Sequence, residues 1–169
     1  VKLQKNFVKY FRNIDYDKVI FITGTNGKST TTNLVSHTVK MAGKKVATNT
    51  EGANMMSGVA TTLIKNSSLF GKFNKEFLIL EIDERSLRNI FKVLPAKNLC
   101  ITNLQKDQVQ RNGDPDFIYQ MFKGAVNKDV TLFVNNEEPR SRSLEDYVGK
   151  VVYYSMEKNS KTFIKDDFY

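Results

Sequence analysis

The chain has 169 residues, of which 40% are hydrophobic and 11% aromatic, a composition typical of one folded domain rather than of disorder. No apolar run approaches the ~18–20 residues that cross a membrane, and the first residues lack the features of a secretory signal. Cys100, the single cysteine, excludes an internal disulfide and a multi-cysteine zinc site within this chain. The net charge of +8 favours anionic partners, whether nucleotide phosphates, nucleic acid or lipid.

Short apolar runs alternate with helical patterns along the chain. The apolar runs predict buried strands, in chain order, at Val19–Thr23, 45–48, 77–82, 99–102, 130–134 and Lys150–Tyr154. The helical patterns occupy residues 29–41, 53–64, 87–94, 116–126 and 139–147. This alternation predicts an α/β fold in which a mostly parallel sheet is flanked by helices.

The patterns also predict which side chains are buried. The helix at 29–41 should pack through one face, formed by Leu34, Val35, Thr38, Val39 and Ala42. His37 lies on the polar side of that helix and should be at the surface. Cys100 lies in an apolar run and should be buried on both sides of its strand.

Two segments fall outside the alternation. Residues 65–75 break the pattern and are predicted to form an exposed loop. Near the N-terminus a short helix is predicted, with one apolar face formed by Leu3, Phe7, Val8 and Phe11. We expect this helix to pack against the domain, and contact with a membrane surface is the alternative.

A glycine-rich loop, Gly24 to Thr30, joins the first strand to the first long helix. Its pattern is a shortened Walker sequence, G-x-x-G-K-S, in a place where backbone N–H groups and the helix dipole face an anion. No acidic residue adjoins Lys28 in the sequence, so its ammonium is expected to face the outer phosphates of a nucleotide, with the Ser29 hydroxyl on Mg²⁺. The alternative is a plain strand-to-helix turn.

Carboxylates and amides follow two other predicted strands. Glu81 and Asp83 end the strand at 77–82, where a carboxylate could bind the Mg²⁺ that bridges ATP phosphates. We expect Glu81 to bind metal and Asp83 to cap the next helix or orient a substrate. Asn103 follows a later strand and leads into a polar segment that contains Asp107 and Gln108.

Taken together, these segments resemble the central ATPase domain of the Mur ligase family. The resemblance extends over nearly the whole chain and is closest to the MurT branch, the catalytic subunits of lipid II isoglutaminyl synthases. It is carried by T-G-T-N-G-K-S-T, by T-E-G-A-N at residues 50–54, by E-I-D-E at 81–84 and by N-L-Q-K-D-Q-V-Q-R-N-G at 103–113. Gln108 stands where other Mur ligases carry histidine, which agrees with the MurT branch.

The resemblance implies a reaction. ATP would phosphorylate the α-carboxylate of D-glutamate in lipid II, and ammonia from a GatD-like glutaminase would displace the phosphate to give D-isoglutamine. The implied location is cytoplasmic, at the inner face of the membrane, without nucleic acid as a partner. The alternatives are another Mur-family amino-acid ligase of the muramyl or folylpolyglutamate type, or a non-catalytic module that binds nucleotide or nucleic acid.

The resemblance also assigns site residues. Lys28 would bind the β and γ phosphates, Ser29 and Glu81 would bind Mg²⁺, and Asn103 would lie near the adenine. Further nucleotide contacts are implied for Thr25, Asn26, Gly27 and Thr30. Contacts with the substrate, or support of the metal ligands, are implied for Glu51, Asn54, Asp83, Asp107 and Gln108.

MurT proteins carry more than this domain. The resemblance implies a four-cysteine zinc ribbon and a C-terminal domain after Tyr169, so that residues 1–169 would be a partial central ATP-binding domain. A structural Zn²⁺ is expected only in the full-length protein. The chain alone is therefore expected to fold at most partly and not to catalyse.

Overall fold

The computed structural model describes residues 6–49, 54–104 and 115–155. Six parallel strands form one sheet in the order β2-β3-β1-β4-β5-β6. The strands are β1 Val19–Thr23, β2 Val46–Thr48, β3 Phe77–Glu81, β4 Asn98–Ile101, β5 Thr131–Asn135 and β6 Lys150–Tyr154. The connecting helices are α1 Lys28–Met41, α2 Met56–Lys65, α3 Leu87–Val93, α4 Pro115–Lys123 and α5 Pro139–Arg142. The predicted α/β fold is confirmed.

Helices cover the two faces of the sheet unequally. The chain runs from β1 to β2 in one direction along the sheet, and from β2 through β6 in the opposite direction. Because crossovers between parallel strands are right-handed, a change of direction places the connecting helix on the other face. Among the described helices, α1 therefore lies alone on one face, which we call the α1 face, and the others lie on the main face. The main face holds the hydrophobic core cluster, in which Phe21, Leu80 and Leu99 pack against α2 and α3.

Helix α1 packs through a different side from the one predicted. Thr32 and Ser36 are buried, whereas Leu34 is 65% exposed and Thr38 and Ala42 are also exposed. The predicted apolar face is therefore wrong for Leu34, Thr38 and Ala42, whereas its other two members, Val35 and Val39, are half-buried. The rotation of the helix is fixed in its first turn, where Lys28 points towards the glycine-rich loop and Thr32 follows one turn later on the same side.

Outside the sheet, the two irregular segments behave differently. Phe7 and Val8 are buried in a 3₁₀ turn, Phe7–Tyr10, so this part of the N-terminal segment packs against the domain as expected; Leu3 lies outside the described residues. The loop at 65–75 exposes Leu69 and Phe70. It also buries Phe73, which is 5% exposed, because backbone bridges to the neighbouring segment fold the loop back onto the domain.

His37 and Cys100 show how the local environment decides burial. His37 is exposed on α1, as predicted. Cys100 is only half-buried, so the prediction that it is buried on both sides is wrong. In β4, Leu99 and Ile101 point into the core of the main face. Cys100 lies on the α1 face of the same strand, at a position that α1 does not cover. The nearby surroundings still raise the pKa of its thiol to about 11, chiefly by burial, while the Tyr154 hydroxyl opposes the shift.

Candidate nucleotide-binding site

The candidate site lies at the carboxyl ends of β3, β1 and β4, three adjacent strands. The connection that follows β1 crosses the α1 face, whereas the one that follows β4 crosses the main face. A parallel sheet opens into a crevice at such a switch point, and ligands bind there. The topology therefore brings the glycine-rich loop, the end of the Glu81 strand and Asn103 to one crevice.

Two glycines give the loop its shape. Gly24 has φ of +133°, and a Cβ placed on it would lie 2.2 Å from Thr102 Oγ1 and 2.8 Å from the Asn103 carbonyl oxygen. Gly27, the N-cap of α1, has φ of +79° in the left-handed region. No larger residue fits at Gly24 without moving the end of β4.

Asn103 joins the loop to the end of β4. Its carbonyl accepts from Thr25 N at 2.9 Å, its Oδ1 accepts from Asn26 N at 3.0 Å, and its Nδ2 donates to Asn26 O at 3.1 Å. Thr102 Oγ1 also donates to Asn26 O, at 2.6 Å. The side chain therefore supports the loop, and contact with an adenine remains a prediction.

The first turn of α1 offers backbone donors. The first bond of the helical ladder runs from Thr31 N to Gly27 O at 2.9 Å, and the N–H groups of Lys28, Ser29 and Thr30 find no acceptor within the described part of the chain. Such groups, together with the helix dipole, form an anion site. This property fits a phosphate group.

Ser29 and Glu81 meet across the crevice. Ser29 Oγ donates to Glu81 Oε2 at 2.6 Å, and Asn54 Nδ2 donates to Oε1 at 3.2 Å. Asn49 fixes the backbone of Glu81 through two hydrogen bonds of 2.8 Å. A hydroxyl and a carboxylate are hard oxygen ligands, so this pair suits Mg²⁺ beside a phosphate.

The Lys28 ammonium lies under the loop and has an acidic neighbour. It donates to Gly24 O at 2.5 Å and Thr25 O at 3.1 Å, and it lies 3.4 Å from Glu84 Oε1. The expectation that no acidic residue lies beside Lys28 is wrong. Glu84 is distant in the sequence, but the turn after β3 brings its carboxylate close to the Lys28 ammonium. Burial raises the pKa of Glu84, and the charge of Lys28 opposes that shift.

The remaining predicted residues divide into two groups. Asp83 Oδ1 accepts from Arg85 N at 3.1 Å, and its carbonyl accepts from Ser86 N and Leu87 N, so Asp83 shapes the turn that leads into α3. Glu51, Asp107 and Gln108 lie outside the described residues. Sequence reasoning missed Glu84; its only signal was the position three residues after Glu81.

A glycine loop between the first strand and its helix, at the switch point of a parallel sheet, defines a phosphate-binding α/β domain. The family model for the Mur ligase middle domain matches residues 22–169. The chain therefore belongs to the Mur ligase family.

Curated relatives and a solved structure agree with this assignment. The chain is 33% identical over 148 residues to the lipid II isoglutaminyl synthase (glutamine-hydrolyzing) subunit MurT of Staphylococcus aureus, covering 87% of this chain and 33% of the relative. It is 37% identical over 124 residues to the MurT subunit of Streptococcus pneumoniae, covering 72% and 27%. The chain thus spans about a third of the length of these relatives.

The fold recurs in the MurF ligase of Thermotoga maritima in complex with ADP. The two structures superpose with a TM-score of 0.62 at 18% identity, over 83% of this chain and 33% of that one. At this identity the likeness concerns the fold. It places the parallel sheet and its flanking helices among those of the Mur ligases.

Proposed function

We propose that the whole protein is an ATP-dependent ligase that amidates the D-glutamate α-carboxylate of lipid II, and that this chain is its nucleotide-binding part. The proposal rests on one observation above all: Ser29 and Glu81 meet beside a phosphate loop in a chain that is 33–37% identical to MurT subunits. MurT relatives are named as subunits of a glutamine-hydrolyzing synthase, which supports ammonia supply by a GatD-like glutaminase.

The residues present fit ATP and Mg²⁺. Lys28 and the first-turn N–H groups of α1 would hold the outer phosphates, and Ser29 with Glu81 would hold the metal ion. When bound, ATP would supply the phosphoryl group that turns a poor acyl donor, a carboxylate, into an acyl phosphate. The contribution of this chain is to place the phosphates and neutralise charge that develops on them.

Several features of the whole protein belong to the proposal alone. They include a zinc ribbon, a C-terminal domain that completes the site, and a location at the inner face of the membrane. No helix within the described residues is long and apolar enough to span a bilayer. A net charge of +8 would favour contact with anionic lipid.

The decisive experiment uses the full-length protein with its glutaminase partner. We expect ATP-dependent conversion of glutamate-form lipid II to the isoglutamine form, with glutamine as the nitrogen source, and ADP and phosphate as products. Glu81→Ala should abolish conversion and leave the melting temperature without nucleotide nearly unchanged, because Glu81 is only half-buried, at the last position of β3. A large fall in the melting temperature would show that Glu81 is structural.

Other outcomes distinguish the alternatives. Consumption of an amino acid in place of ammonia would identify another Mur-family ligase. Binding of DNA with a steep dependence on salt, and no turnover of ATP, would favour a nucleic-acid-binding module.

A further inference from the structure

The three N–H donors of the Lys28 ammonium are matched by three protein acceptors in this structure. An ammonium group carries three N–H donors and no acceptor. Here it has three protein acceptors around it, the carbonyls of Gly24 and Thr25 and the carboxylate of Glu84. A phosphate oxygen can therefore bind this ammonium only if one of the three acceptors is released or weakened.

Glu84 is the acceptor that is most easily released. Its distance of 3.4 Å to Nζ is the longest of the three, against 2.5 Å and 3.1 Å for the carbonyls. The two carbonyls belong to the same loop as Lys28, whereas Glu84 belongs to the turn after β3. The contact with Glu84 is thus the one that connects Lys28 to a separate element.

Releasing Glu84 has a cost. Its side chain is 5% exposed, and Lys28 is its only ion-pair partner among the described residues. A buried carboxylate without a counter-charge is unfavourable. Binding of a phosphate at Lys28 must therefore overcome the loss of this ion pair.

We propose that Glu84 is a positioning residue that holds Lys28 at the loop and competes with the phosphates for its charge, so that Glu84 lowers the affinity of the site for nucleotide. The inference rests on the proposed function, since it takes Lys28 as a phosphate ligand. It adds a residue outside the phosphate loop that regulates how tightly ATP is held and how readily ADP leaves.

The test measures binding of a fluorescent ADP analogue, with Mg²⁺, to the full-length protein. Glu84→Gln keeps the shape of the side chain and removes its charge, and it should tighten binding by about tenfold, the size expected of one charge-assisted hydrogen bond. Glu84→Asp, which withdraws the carboxylate by one methylene, should tighten binding less and offers a second variant if the first does not fold. Glu76→Gln, the same change in an exposed residue paired with Lys44, should leave the affinity unchanged.

A second background separates competition from a structural effect. In Lys28→Met protein the Glu84 carboxyl has no ammonium for which to compete with the phosphates, so adding Glu84→Gln should tighten binding much less than in the wild-type background. Equal tightening in both backgrounds, or weaker binding by Glu84→Gln in the wild-type background, would overturn the inference. Absence of nucleotide binding by the wild-type protein would overturn the proposed function as well.

Discussion

The two halves of the α1 face differ in how completely they are covered. Over β3 and β1, helix α1 lies on the sheet, and Ile79 and Ile22 have no exposed surface. Over β4 and β5, Cys100 and Phe133, which continue the row of Ile22, are only half-buried. The comparison shows that helix α1 has two roles. It buries one half of this face of the sheet, and its first turn forms part of the candidate site at the phosphate loop.

The largest expected effect tests whether the two roles of α1 can be separated. Lys28→Ala in the full-length protein should lower amidation of lipid II about a thousandfold, because negative charge moves towards the β–γ bridge of ATP as the phosphoryl group leaves. Binding of the glutaminase should change little, and the melting temperature should fall, because the buried Glu84 carboxylate loses its ion-pair partner. The measurement is turnover at saturating Mg-ATP, and near-normal turnover would show that the loop is not the phosphate site.

A matched pair of isoleucines tests the difference in burial. Ile79 and Ile20 are partners on adjacent strands and share the α1 face, but Ile79 is fully buried and Ile20 only partly. Ile79→Ala should lower the free energy of unfolding by about 3 kcal/mol, and Ile20→Ala by about half as much. Denaturant titration gives both values; equal losses would mean that these two positions, both within the covered half, are equally packed.

The smallest effect concerns Cys100 on the less covered half. Burial raises its pKa from an ordinary value of 9.0 to about 11, which leaves little thiolate at neutral pH, so a thiol reagent should label the native protein at pH 8 about a hundredfold more slowly than the unfolded chain. Since the thiolate forms as pH approaches the raised pKa, the labelling rate should rise about tenfold per pH unit from pH 8 to 10. Rapid labelling at pH 8 would show that this half is open to solvent.

The strands are predicted well from the sequence because each is a short, continuous run of mostly apolar residues. Val19–Thr23 and Lys150–Tyr154 are found where the pattern predicts them, and the meeting of Ser29 with Glu81 follows from the shared edge of parallel strands. The packing face of α1 was only partly predictable from apolar residues. The orientation of α1 depends on the contact between the loop and Lys28, and the spacing of hydrophobic residues carries no information about that contact.

The missed carboxylate has a similar cause. Glu84 is distant from Lys28 along the chain, and its approach depends on the path of the turn between β3 and α3. That path is set by the hydrogen bonds of Asp83 with Asn54, Arg85 and Ser86. Strand periodicity therefore places Glu81 at the edge of the sheet but says nothing about the side chain three residues later.

The attachment of the phosphate loop to Asn103 has a thermodynamic consequence. Asn103 accepts hydrogen bonds from Thr25 N and Asn26 N and donates one to Asn26 O, and Thr102 donates another to Asn26 O, so Thr25 and Asn26 are held before any ligand arrives. The conformational entropy of the loop is therefore lost when the domain folds and not when nucleotide binds. Calorimetry of nucleotide binding should accordingly show a small entropic penalty from the loop, and Asn103→Ala should make that penalty larger while the contacts to the phosphates stay the same.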